Sequence, residues 1–102
     1  MKKNTRTERN PELYRAILSL KDEEECRQFF EDLCSATELA AIEQRYQVAK
    51  LLLQDKVYLD ILLETKASTA TISRVKRMVT DGTGCISRVI ERIGEENKET
   101  PQ

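Results

Sequence analysis

Apolar residues recur along this chain at helical spacing, segment after segment, and local capping signals mark where each segment begins. Asn10-Pro11-Glu12 supplies an N-cap, a proline at the first helical position and an acid in the first turn, and Leu13, Ala16, Ile17 and Leu20 follow on one face. A short first helix is predicted to end at Ser19 or Leu20. Asp22 then precedes Glu23, Glu24 and Glu25, charges favourable at a helix N-terminus, and Cys26, Phe29, Phe30, Leu33 and Cys34 trace a second amphipathic helix. Ser35-Ala36-Thr37-Glu38 matches the capping box and opens the longest helical stretch, to about Gln54. Leu39, Ile42, Tyr46, Ala49 and Leu53 form one stripe of it, widened by Ala41, Val48 and Leu52. A helix apolar over so much of its circumference is expected to be buried between neighbours, either as the central helix of a monomer or against another subunit.

The second half of the chain is cut more finely. An apolar segment, Val57 to Leu63, is interrupted by Asp60 and ends at Glu64-Thr65-Lys66-Ala67. Ser68 or Thr69 then caps a helix predicted from Thr69 to about Val79, with Ile72, Val75 and Val79 facing inward. Asp81-Gly82-Thr83-Gly84 reads as a turn, and Ile86, Val89, Ile90 and Ile93 as the inner face of a last helix. The division that follows is a flexible basic arm over residues 1–9, one helical domain over 10–94 and a polar, frayed tail over 95–102.

Composition supports an all-α protein, because only three glycines and two prolines interrupt 102 residues. A chain of this size fills one small domain, which dimerisation would help to stabilise. Its apolar runs stay far below the roughly 20 residues that cross a bilayer, and MKKNTRTERN lacks the apolar stretch of a signal peptide, so a cytoplasmic location and no membrane partner are expected. Cys26, Cys34 and Cys85 have no C-x-x-C spacing and the chain has no histidine, which leaves neither a metal site nor a catalytic pair. The cysteines are expected to be buried thiols. Without a glycine-rich phosphate loop or a nucleophile motif, an enzyme is not expected, nor is a cofactor.

The net charge of −1 conceals a polarised distribution. From Thr65 to Thr80 the charged residues are Lys66, Arg74, Lys76 and Arg77, a local +4 without an acid, whereas acids crowd Asp22 to Glu25, Glu31-Asp32 and Glu91 to Glu99. A basic stripe on one helix is the electrostatic footprint of DNA binding, although a solvated helix face has the same composition. Two short helices joined by a turn, over about residues 56–79, form the arrangement of a helix-turn-helix. Ile61, Ala67, Ile72 and Val75 would pin them together. That leaves Ser68, Thr69, Thr71 and Ser73 as short donors and acceptors at the entrance of the second helix, and Arg74 and Arg77 within reach of a guanine edge or the backbone. Lys66 and Lys76 are placed to hold phosphates.

Glu43-Gln44-Arg45-Tyr46-Gln47-Val48-Ala49-Lys50-Leu51-Leu52, and then Glu64-Thr65-Lys66-Ala67-Ser68-Thr69-Ala70-Thr71-Ile72-Ser73-Arg74-Val75, resemble the tryptophan repressor superfamily, in its YerC/YecD-like branch. The run Ala16 to Asp22, with Glu24-Glu25-Cys26 and Phe29 to Cys34, resembles the same branch, so the likeness covers most of residues 13–79. It implies a bacterial transcriptional regulator that reads a pseudo-palindromic operator: six helices in an intertwined homodimer, with the fourth and fifth helices reading double-stranded DNA and the others forming the dimer core. The family places a glycine in the turn between the reader helices and another before the first of them. Lys66 and Asp55 stand there in this chain, and a left-handed turn would cost lysine about 1 kcal/mol relative to glycine.

The resemblance also raises the question of an effector. Two arginines hold tryptophan in the tryptophan repressor, and Arg45 and Arg74 align with them. Val75 follows Arg74 where the repressor has a glycine that makes room for the indole ring, so no response to tryptophan is expected, and another effector, or none, stays open. Arg45 is expected to form a surface or helix–helix salt bridge with a nearby carboxylate rather than to hold an effector. Two further readings of the whole chain compete with a sequence-specific repressor: a helical protein–protein adaptor, and a nucleoid-associated protein whose binding depends on salt but scarcely on sequence.

Overall fold

A computed structural model describes residues 8–99 and, among them, six helices and no strand: α1 (Pro11–Leu18), α2 (Glu23–Leu33), α3 (Ala36–Leu53), α4 (Tyr58–Thr65), α5 (Thr69–Asp81) and α6 (Cys85–Glu99). Most of the basic arm, residues 1–7, and the last three residues of the tail lie outside the described residues. The first part of that tail is helical, because α6 continues through Glu99. Glutamate and lysine favour a helix there, and the chain meets no proline until Pro101.

The helix starts follow the capping signals. Asn10 Oδ1 accepts from the Glu12 amide at 2.9 Å, and Asp22 Oδ1 from the Glu25 amide at 2.8 Å. Glu25 in turn accepts from the Lys21 amide at 2.9 Å, which closes a reciprocal pair that the sequence pattern alone does not single out. Ser35 and Glu38 form the expected capping box at 3.1 and 2.9 Å. On α2, Arg27 bridges Glu24 and Glu31, and hydrogen bonds to these two carboxylates hold its guanidinium above its ordinary pKa. The triad is solvent-exposed and contributes little to stability.

The chain divides into two compact units, residues 1–39 and 40–102. In the first, neither α1 nor α2 buries a residue: Leu13, Tyr14, Leu18 and Leu33 are exposed, and Phe29 and Phe30 meet edge to face, half-buried, at 5.4 Å. The second holds the core, made of Val48, Ala49 and Leu51 from α3, Ile61 from α4, Ala67 from the turn, and Ile72 and Val75 from α5. Leu52, Leu62 and Val79 pack against it.

Two expectations are corrected here. Of the α3 stripe only Ala49 is buried, while Ile42 and Tyr46 remain 43% and 38% exposed, because the core covers the last turns of α3 and leaves the first open. The cysteines are not core thiols either: Cys26 and Cys34 are half-buried and Cys85 is exposed. Cys26 lies on α2, which buries nothing, Cys34 is its C-cap, and Cys85 opens α6 directly after a turn.

The turns before and after α4 each hold a left-handed residue that is not glycine, Asp55 at φ 63° and Lys66 at φ 62°. These are the two positions at which the family resemblance places glycines. At the other end of α5, Gly82 lies so close to the chain that a Cβ there would sit 2.6 Å from the Met78 carbonyl oxygen, and Gly84 has φ 86°. Lys66→Gly is expected to stabilise the protein by about 0.5–1 kcal/mol, read from the urea midpoint, because the steric cost of a left-handed lysine exceeds the entropic cost of glycine. Asp55→Gly should gain less, since aspartate visits that conformation more readily.

Candidate nucleic-acid interface

The turn between α4 and α5 is tied at several points. The Lys66 amide donates to the Leu62 carbonyl at 2.9 Å, which ends α4. Thr65 donates its hydroxyl to the Ile61 carbonyl at 2.7 Å and accepts from the Ala67 amide at 3.1 Å. From α3, the Gln44 side-chain amide donates to the Thr65 carbonyl at 3.2 Å. Ser68 then caps α5, its Oγ accepting from the Thr71 amide at 3.1 Å. Ile61, Ala67, Ile72 and Val75, the four residues predicted to pin the helices, are all buried, so the direction of α5 is set by packing behind it and bonds before it.

Ile72, Val75 and Val79 define the inner side of α5, and the 100° step per residue puts Ala70, Ser73, Arg74 and Arg77 on the outer side. Of the predicted contact residues, Lys66, Ser68, Thr69, Ser73, Arg74, Lys76 and Arg77 are exposed. Thr71 is half-buried, with its Oγ1 accepting from the Ser68 hydroxyl at 3.1 Å, so it belongs to the cap as much as to the outer face. Lys76 leans toward α4, its Nζ 5.9 Å from the centre of the Tyr58 ring, away from the outer face shared by Arg74 and Arg77. Ala70 is not among the predicted contact residues. Counting helical steps from Ile72 would have found it at the middle of the outer face, where a methyl group leaves room for close approach and suits contact with a thymine methyl.

Among the described residues none of Lys66, Arg74, Lys76 and Arg77 forms an ion pair, and the first acid after Lys66 is Asp81, the last residue of α5. Arg45 forms none either, contrary to the salt bridge considered for it. Its helical neighbours at three and four residues are Ala41, Ile42, Val48 and Ala49, which offer no carboxylate. Arg45 instead lines an open, mostly apolar groove of about 220 Å³ with Ile42, Tyr46, Val75 and Met78. Arg74 is not among the residues that line this groove, so the two arginines aligned with an effector site do not converge on it. Val75, 3% exposed, forms part of its wall. Among the described residues no cluster of histidine, cysteine and carboxylate side chains is arranged to hold a metal ion, and no helix is long and apolar enough to cross a membrane.

A tethered pair of short helices with a clean basic outer face defines the class: an all-α helix-turn-helix protein. The sequence profile of the Trp repressor protein family matches residues 9–94, and the chain belongs to that family, one of DNA-binding regulators rather than enzymes. It is 45% identical over 89 residues to the uncharacterized protein YerC of Bacillus subtilis, covering 87% of this chain and 86% of that one. Among solved structures, a TrpR-like protein from Eubacterium eligens is 50% identical, with a TM-score of 0.79 over 82% of this chain and 87% of that one. Another, from Staphylococcus aureus, is 46% identical, with a TM-score of 0.79 over 82% and 84% of the two chains.

Thr65→Val should lower stability by about 1–2 kcal/mol in urea denaturation, because it strips the turn of one donor and one acceptor without changing side-chain volume. An unchanged midpoint would mean that the threonine hydroxyl does not hold the turn.

Proposed function

We propose that the protein is a sequence-specific transcriptional regulator, a repressor acting in the cytoplasm, that binds a pseudo-palindromic site on double-stranded DNA as an intertwined homodimer. The observation that carries this reading is the outer face of α5: polar, basic, without acids or ion pairs, on a helix whose inner face is locked into the core. Cations left without protein partners are available to phosphates and base edges. Two copies of α5 enter successive major grooves about 34 Å apart. Thr69, Ala70, Ser73 and Arg74 then lie nearest the bases, Ser68 and Thr71 at the helix entrance, and Lys66, Lys76 and Arg77 along the backbone. The exposed apolar residues of α1, α2 and α6, among them Leu18, Leu33 and Ile93, support a second copy as their cover.

Tryptophan has no part in this mechanism. Val75 occupies the wall of the groove beside Arg45, and Arg74 does not line it. Adding L-tryptophan to a DNA-binding titration is expected to leave the affinity unchanged; a rise of tenfold or more, equivalent to about 1.4 kcal/mol, would contradict this.

A protein–protein adaptor is favoured by one observation, the exposure of Val57, Leu59 and Leu63 at 61%, 64% and 67% around α4. Selection from random duplex DNA at one fixed salt concentration separates the readings. The wild type is expected to enrich a palindromic motif that a Thr71→Ala, Arg74→Ala double variant loses. Motif-free binding shared by both proteins would place the chain with nucleoid-associated proteins, and no binding would favour the adaptor.

A further inference from the structure

Beside the outer face of α5 the chain forms an open cleft of about 290 Å³ between the end of α3, the start of α4 and the later turns of α5. Its floor is apolar, from Leu52, Leu53 and Val79, and its rim carries Asp55, Lys56, Tyr58, Lys76 and Thr80. Two lysines from different elements therefore line one concavity. Neither lysine forms an ion pair among the described residues, although Asp55 shares the rim. The Lys76 Nζ lies 5.9 Å from the centre of the Tyr58 ring, within cation–π range.

We infer that this cleft is a second DNA contact, resting on the DNA-binding reading above, which seats a backbone phosphate of the duplex. Lys56 and Lys76 supply the positive charge, and Tyr58 is a positioning residue that acts through Lys76. The chemistry fits a phosphate better than a base edge: lysine binds phosphate as a point charge, and the cleft presents no fork of donors matched to a base. Asp55 opposes the anion, which leaves the rim at a net +1 and argues for one phosphate rather than a polyanionic small molecule. The contact carries no sequence information and fixes the register of α5 on the duplex.

The test is a salt series of binding isotherms on the duplex enriched by selection, for the wild type, Lys56→Ala, Tyr58→Ala, Tyr58→Phe, Lys76→Ala and the Tyr58→Ala, Lys76→Ala double variant. Lys21→Ala, in the linker before α2, serves as control, and thermal melts establish that each variant is folded. Removing one phosphate contact lowers the slope of log K against log salt by about 0.9, which is about threefold in affinity between 50 and 200 mM salt. Lys56→Ala and Lys76→Ala are expected to show that loss with the enriched motif unchanged, and Lys21→Ala is not. Tyr58→Phe should behave as wild type, whereas Tyr58→Ala should weaken binding in the wild-type background and add nothing when Lys76 is already absent. Wild-type slopes for folded Lys56→Ala and Lys76→Ala proteins would overturn the inference while leaving the α5 reading intact. If inorganic phosphate alone raises the melting temperature of the wild type but not of Lys56→Ala, and the DNA slopes agree, the cleft is a small-anion site and the DNA assignment fails. Failure of the wild type to bind duplex at all would instead overturn the reading on which the inference rests.

Discussion

Ile61, Ala67, Ile72 and Val75 close against Val48, Ala49 and Leu51 at the end of α3, and the angle between α4 and α5 follows from that contact. Burying a branched aliphatic side chain is worth about 1.5–3 kcal/mol, so this cluster outweighs the single hydrogen bonds of the neighbouring turn. It also tolerates the strain it encloses. Two left-handed residues that are not glycine flank α4, and they persist because the packing between them leaves the chain no other path. Gln44 and Thr65 add direction to the clamp, joining α3 to the turn through the Thr65 carbonyl and the turn to α4 through the threonine hydroxyl.

With its inner face spent on the core, α5 presents its outer face without intramolecular partners. Electrostatics then favours an anionic surface, since half of the chain's acids lie on α2 and α6 while Lys66 to Thr80 carries none. The same division explains why so much apolar surface is left uncovered elsewhere. The core belongs to residues 48–75, and α1, α2 and α6 contribute no buried residue to it. Leu13, Leu18, Leu33, Ile86 and Ile93 on these helices stay exposed, the kind of surface that marks an interaction site.

The caps and the buried side of α5 were legible because each depends on residues close in sequence. Asn10, Asp22, Ser35 and Ser68 announce their helices through side chains that reach an amide only two or three residues ahead. Ile72 and Val75 show their burial through their spacing, and Lys66 and Asp55 their left-handed turns through the glycines missing from a familiar pattern. The failures have a common cause. Periodicity identifies the apolar side of α3 but not which of its turns another helix covers, so it puts Ile42 and Tyr46 inside and misses the burial of Leu51. Cysteine composition likewise says nothing of whether α2 has a neighbour. Arg45 has only apolar neighbours three and four residues away, which no composition count reveals, and Ala70 carries no contact chemistry until its position on the helix is known. Lys76 faces Tyr58 across two elements, a pairing that no local pattern encodes.

The central claim is that the entrance and outer face of α5 meet the DNA. Amide NMR spectra recorded while the enriched duplex is titrated into the protein test it directly. The largest shifts are predicted for Ser68 to Arg77, with small changes along α2. Perturbation centred on α2 or on the exposed side of α4, with residues 68–77 unmoved, would contradict the account.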